Sequence, residues 1–446
     1  MTESPRGTAA ETATLLLCGA RLTDGRTVDV RLSGSRIEAV GTVGSLDAPP
    51  GRAGQYGPAA STGSSGQPGS PGQSAQSGQS GRAAPGTRID LRGYLLLPAP
   101  AEPHAHLDLA LTAGAGGPPP GDVADVQRRA TEGALLQLGH GATAVRSHVR
   151  VGDVQGLRSL EAVLSARRAL RGLVDVHTVA VPRLLTGVAG ADGLATLRDA
   201  LKMGAGVVGG CPDLDPDPSG YAEAALSLAA EFGVPVDLHT AADDPGRLAR
   251  LAAMAGGLRP GVTLGPCHGL GALPPETLAA AAGRLAAAGV SVTVLPQGGC
   301  GGLETVRRGA ARLLTPLRLL RSAGVRVTAG SGALGDLANP VGRGDPLEAA
   351  FLLASYGECG AAQAYETISC GAREVLGLPA VRVEAGFPAE LLAVRGESVE
   401  AVLSLAYSRM VIHRGRVVSR TSAVREYCDS ASEAALDLPR QAHREA

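Results

Sequence analysis

From Ile89 onward the chain alternates between apolar, β-rich runs and Ala/Leu/Arg-rich segments of helical period, and this alternation limits the fold more than any other feature. The runs are YLLLPAPAEPHAH, ATAVRSHV, VDVHTVAVP, AGVVGGCP, VPVDLHT, VTLGPCH, VSVTVLP and VRVTAGSG. Helical stretches such as GLRSLEAVLSARRALRG and PPETLAAAAGRLAAAG separate them. Near-continuous apolar strands alternating with helices imply a parallel sheet covered on both faces. Eight such units in roughly 270 residues predict an α/β fold of the (β/α)8 TIM-type barrel kind rather than an open doubly wound sheet.

The flanks read differently. Residues 13–42 are short strands divided by Asp-Gly and Ser-Gly turns. After the eighth run come helical segments (DPLEAAFLLASYGEC, QAYETISCGAREVLG) and then strand-like pieces, AELLAVRGE, EAVLSLAYS and RMVIHRGRVVS. The expected organisation is a small composite β-sandwich domain from 10–46, 88–98 and 376–420 beside a barrel spanning 99–375. Residues 47–87, rich in Gly, Ser, Gln and Pro, lack the apolar side chains to offset their ordering entropy and read as a disordered loop. Residues 421–446 read as a polar tail.

Composition narrows the function. Lys and Arg number 41 against 42 Asp and Glu, so there is no basic field for a polyanion, and aromatics are only 2% of the chain. Nucleic acid is therefore not an expected partner. The core must come from Ala, Leu and Val, because there is no Trp. No stretch approaches ~20 consecutive apolar residues, so no membrane span is expected. Seven scattered cysteines without a C-x-x-C pair suggest neither a disulfide framework nor a zinc knuckle. A cytoplasmic protein is the expectation, and a homo-oligomer stays open.

In a barrel, chemistry collects at the C-terminal ends of the strands. That rule selects His104, His106, Arg183, Cys211, His239, His268 and the Ser331-Gly332 pair. His104 and His106 are two apart on a strand, so both rings face one way and can share an ion. Neutral imidazoles suit Zn²⁺ or Fe²⁺ better than Mg²⁺ or Ca²⁺. His239 and His268 end the fifth and sixth runs. The other histidines (His140, His148, His177, His413 and His443) read as structural, with His148 and His177 as buried, hydrogen-bonded rings inside strands. Cys211 and Cys267 read as small core fillers. The single lysine, Lys202, precedes the fourth strand and cannot bridge two ions at a strand tip, which favours one metal.

These motifs resemble the amidohydrolase superfamily and, within it, the bacterial cytosine deaminase-like branch. LLLPAPAEPHAHLD, ATAVRSHV, VDVHTVAVP, AGVVGGCPD, VDLHT, GPCHGLGAL, GDLANPVGRGDPLEAA and EAGFPAELLAV are similar to that branch's segments in its order. The resemblance implies one Zn²⁺ or Fe²⁺ and hydrolytic deamination of a heterocyclic C–N bond. It makes His104, His106 and His239 the metal ligands and His268 the contact to the attacking water or developing oxyanion. Three positions depart from the pattern. Ala242 stands where the family has a catalytic Glu, Gly332 where it has a metal-ligating Asp, and Arg183 where it has a substrate-binding Gln. Alanine and glycine carry no proton, and losing one positioned acid/base group forfeits ~10²–10⁴-fold in rate. Asp243, Asp244 and Asp336 are the candidate substitute carboxylates, but turn and cap chemistry is the stronger reading for all three, since DDPGRLARLAAM reads as a helix start. Arg183 suits an anionic ligand, or else pairs with Asp213, Asp215 or Asp217. Two functions therefore stand at this point: a mononuclear amidohydrolase with altered acid/base groups, and a catalytically silent homologue that binds a small molecule or partner protein.

Overall fold

The two ends of the chain meet in one sheet. Its strands are β1 (Thr14–Arg21), β2 (Thr27–Ser33), β3 (Arg36–Thr42), β4 (Thr87–Asp90) and β5 (Tyr94–Pro98) from the first hundred residues, and three from the C-terminal part. The computed structural model describes residues 14–46, 87–114, 121–152, 156–297 and 314–423. Residues 47–86, most of the low-complexity segment, lie outside the described residues, as do 424–446 of the polar tail.

The first predicted run divides between two sheets. Tyr94–Pro98 is β5 of the small sheet, and after Ala99-Pro100 the chain re-enters as β6 (Ala101–Ala105) of the barrel. The remaining runs are β7 (Ala144–Val151), β8 (Asp175–Pro182), β9 (Val207–Gly210), β10 (Val236–Thr240), β11 (Val262–Pro266), β12 (Ser291–Val294) and β13 (Arg326–Ala329). All eight pair in parallel in sequence order, with helices outside. This is the expected (β/α)8 barrel. Three of its helices (Pro218–Phe232, Pro245–Ala255 and Pro346–Ser355) begin with an Asp whose carboxylate caps free N–H groups, followed by Pro at the first turn. Proline has no N–H to orphan there, and its fixed φ suits the helix start.

The ring closes where β6 meets β13. Here the buried Glu102 carboxylate replaces a strand ladder. Its Oε2 accepts from the Ser331 N–H at 3.0 Å and the Ser331 hydroxyl at 2.7 Å, while Oε1 accepts from the His104 N–H at 3.0 Å. The seam and the first histidine of the H-x-H pair are thus fixed by one side chain.

The chain returns to the small sheet through β14 (Leu391–Arg395), β15 (Arg409–His413) and β16 (Arg416–Arg420). The sheet order is β16-β15-β14-β5-β1-β2-β3, with β4 beside β1, over a core that includes Leu17, Val30, Leu96, Ala393 and Ile412. One segment departs from expectation. EAVLSLAYS is not a strand, because Val399–Leu405 is a helix capped by Ser398. Its buried Val399, Val402 and Leu403 follow helical spacing, which the short apolar run conceals. Among the described residues no helix is long and apolar enough to cross a membrane.

Candidate metal centre

Alternation along the barrel strands puts Glu102, His104 and His106 on one inward column, Arg146 and His148 on a second, and Asp237 and His239 on a third. Their side chains meet in the barrel. His104, His106 and His239 each offer a ring nitrogen, and these atoms all lie within 4.8 Å of one another. The Nε2 atoms of His104 and His239 are 3.2 Å apart, and the other His239 nitrogen faces the Gly210 carbonyl at 3.3 Å. Two nitrogens on a tetrahedral ion with bonds of about 2.0–2.1 Å stand about 3.3 Å apart, which the His104–His239 pair matches. The Nδ1 of His104 and both nitrogens of His106 are buried without a hydrogen-bond partner. Such orphaned groups are costly unless something binds them.

Burial also sets their protonation. The His106 imidazole is lowered to about 4 by burial and then by the Arg150 charge. His239 is lowered to about 3, by burial first and then by the charge of His106. His104 falls well below its usual value, by burial first and then by the neighbouring His148 and His239. The three rings are therefore neutral near pH 7, the form that ligates a metal. An all-imidazole set suits a borderline-soft divalent ion.

A fourth ring joins them, and it is one the sequence reading treated as a structural, hydrogen-bonded residue. His148 stacks on His104 with centroids 4.1 Å apart and stands 4.7 Å from His239. Neither of its nitrogens has a hydrogen-bond partner. Below it lies a buried ion pair, Arg146 to Asp237 at 2.9 Å, and the other Asp237 oxygen is 3.4 Å from His148 Nε2. His268 stands elsewhere. It opens a short turn (His268–Ala272) after β11, is half-buried, and is not one of the three grouped ligands.

The departing positions have defined settings. Ala242 is buried, with φ +56°, and donates its N–H to Thr240 Oγ1 at 3.0 Å. Gly332 has φ +61°, and a Cβ there would lie 2.9 Å from Leu295 Cδ1. Among the substitute carboxylates, Asp244 caps the helix Pro245–Ala255, and Asp336 accepts from the N–H groups of Ala338 and Asn339 at 2.9 Å each. Both are held by turn chemistry. Asp243 is exposed. Arg183 is exposed directly after β8, and its suggested partners are otherwise engaged. Asp213 binds Thr240 and Ala241, Asp215 binds the Leu185 N–H, and Asp217 caps a helix. Cys211 and Cys267 are buried.

Sequence reasoning passed over Arg150, two residues beyond His148 on the same strand face; the i, i+2 spacing was the signal for it. It also passed over Glu102, Arg146 and Asp237, whose contacts join residues 91 and 229 positions apart and leave no local mark.

The amidohydrolase family model matches residues 127–419. A pterin deaminase of Rhizobium rhizogenes is 26% identical over 366 residues, covering 75% of this chain and 83% of that protein. The structure of N-isopropylammelide isopropylaminohydrolase from Burkholderia multivorans is similar at a TM-score of 0.73 and 25% identity, over 92% of this chain and 100% of that one. A 5-methylcytosine deaminase structure from Klebsiella pneumoniae shares the fold at a TM-score of 0.74 and 22% identity, over 93% of this chain and 100% of that one.

Proposed function

The chain belongs to the amidohydrolase family, and from that premise we propose that it hydrolyses a non-peptide C–N bond of a small cyclic or heterocyclic substrate. His104, His106 and His239 hold one divalent ion, Zn²⁺ or Fe²⁺, for that work. The observation that carries the reading is the convergence of three buried, neutral imidazoles within 4.8 Å. When bound, the ion supplies Lewis-acid polarisation and makes an attacking water available at neutral pH. His268, beside the mouth on the turn after β11, meets the oxyanion that develops on the substrate. Asp243 carries the proton, since Asp244 and Asp336 are tied into a cap and a turn. Arg183 contacts the substrate at the rim. The names of the similar proteins, deaminases and an aminohydrolase, support a heterocyclic substrate.

One observation favours a second reading, a catalytically silent homologue that binds a small molecule or a partner protein. Ala242 and Gly332 together remove both proton carriers that the resemblance implies. Elemental analysis of purified protein, paired with ammonia or amine release from a panel of cyclic amides and aminoheterocycles, separates the two. The hydrolase reading expects one metal per chain and turnover that His104→Ala abolishes. Metal without turnover in the wild type, with turnover appearing only in Ala242→Glu/Gly332→Asp, would establish the silent reading instead.

A further inference from the structure

The inward column of β7 does not stop at His148. Arg146 reaches Asp237 across the barrel, and His148 packs against His104, so both point inward. Arg150, two residues further, continues on the same face about 6.6 Å nearer the mouth. Its side chain is 47% exposed, unlike the two beneath it. Among the described residues its guanidinium makes no hydrogen bond; the nearest carboxylate oxygen, Asp108 Oδ2, is 4.0 Å from Nε and accepts instead from the Arg150 backbone N–H at 3.3 Å. The charge is within electrostatic reach of His106. On the neighbouring strand, Arg150 is in register with Val181 and Val151 with Pro182, so Arg183 follows immediately at the next strand end. Arg183 is exposed and has no ion pair among the described residues. Two arginines therefore stand at neighbouring strand ends: Arg150, whose one ion-pair partner among the described residues is Asp108 at 4.0 Å, and the exposed Arg183.

We propose that Arg150, with Arg183 beside it, forms an anion subsite at the mouth of the barrel, so that the substrate carries an oxyanion group, carboxylate or phosphate-like, next to the bond presented to the histidines. The inference deepens the hydrolase reading and rests on it for the word substrate. A guanidinium offers five donors in a planar fork that matches such a group, and a neutral ring would leave these donors to water. Arg150 acts here as a specificity-determining residue, orienting the ligand by its charge while the ring faces the imidazoles.

The test is calorimetric binding of three probes to the full, zinc-loaded chain: nicotinamide, nicotinate and pyridine-3-phosphonate. They share a ring and differ in charge. At least one anionic probe is expected to bind at least about tenfold tighter than nicotinamide, as one charge-assisted contact allows. Arg150→Gln is expected to weaken that probe by about 10- to 100-fold and leave nicotinamide unchanged, with Arg150→Lys restoring part of the loss. The ratio of the two anions tells which oxyanion the subsite takes. Equal binding of all three probes, or an anion preference that persists in Arg150→Gln, would overturn the proposal. Binding needs no turnover, so an anion preference in a protein inactive on every substrate would remove the hydrolase reading and keep the subsite. Turnover of neutral substrates without anion preference would do the reverse.

Discussion

Gly332 sits in the left-handed region with φ +61°, and a Cβ there would press on Leu295 at 2.9 Å. Placing a carboxylate at this position therefore works against the backbone and the packing together. Gly332→Asp is expected to lower stability by about 1–3 kcal/mol, read from urea midpoints at constant m-value. Ala242 differs, because an alanine already occupies φ +56° and a glutamate adds no new backbone strain. The double variant should thus be destabilised to the same extent as Gly332→Asp alone, within about 0.5 kcal/mol. A double variant much less stable than that would show that the Ala242 pocket has no room for the longer chain. The three grouped histidines were legible in the sequence because each ends or continues a strand, where period two and the barrel rule fix both face and height. His148 was not, since an imidazole inside a strand looks the same whether it meets a carbonyl or another imidazole. Its role is decided by Asp237 and His104, which arrive from other strands.

A buried ion pair lies at the joint between barrel and small sheet. Arg409 of β15 reaches both oxygens of Asp345, at 2.8 and 2.6 Å, and also the His140 carbonyl at 2.7 Å. Asp345 in turn caps the helix Pro346–Ser355. Removing the arginine leaves a carboxylate buried with only its cap to satisfy it. Arg409→Ala is expected to cost about 3–5 kcal/mol of stability by chemical denaturation. A loss below about 1 kcal/mol would mean that water reaches Asp345 once the arginine is gone. Neither partner is distinguishable in the sequence from a surface charge, because 64 residues separate them. The elements themselves were easier to read. All eight barrel runs are strands because length, apolar content and flanking turns agree. The segment after Ser398 was misread because seven residues are too few to separate helical from alternating periodicity, and the serine cap outweighs the apolar run. The division of the first run at Ala99-Pro100 was equally hidden, as both halves are apolar and only the pairing partners differ.

Proton balance ties the centre to the stability of the fold. In the unfolded chain a histidine titrates near 6.5, whereas folded His106 and His239 stay neutral down to about 4 and about 3. Between these limits the unfolded state binds more protons, so the metal-free protein loses stability as pH falls from 6.5, by about 1.4 kcal/mol per pH unit for each such histidine. Glu102 opposes this trend. Burial raises it to about 7, against bonds from Ser331 and His104 that lower it. Its stabilisation is complete below the unfolded carboxylate range and is lost as pH rises through 7. Two histidines outweigh one carboxyl group, and the net drift is toward instability in acid. The same balance distinguishes this site from one assembled out of exposed histidines. At pH 5.5, three exposed imidazoles would be about nine-tenths protonated and would release nearly three protons on taking up a metal. Rings already neutral have none to give. Zinc binding at pH 5.5, followed calorimetrically in buffers of different ionisation enthalpy, should therefore release fewer than about half a proton per ion. Release approaching three would mean that the apo centre opens to water and protonates, so that its neutrality is made by the ion rather than by the barrel.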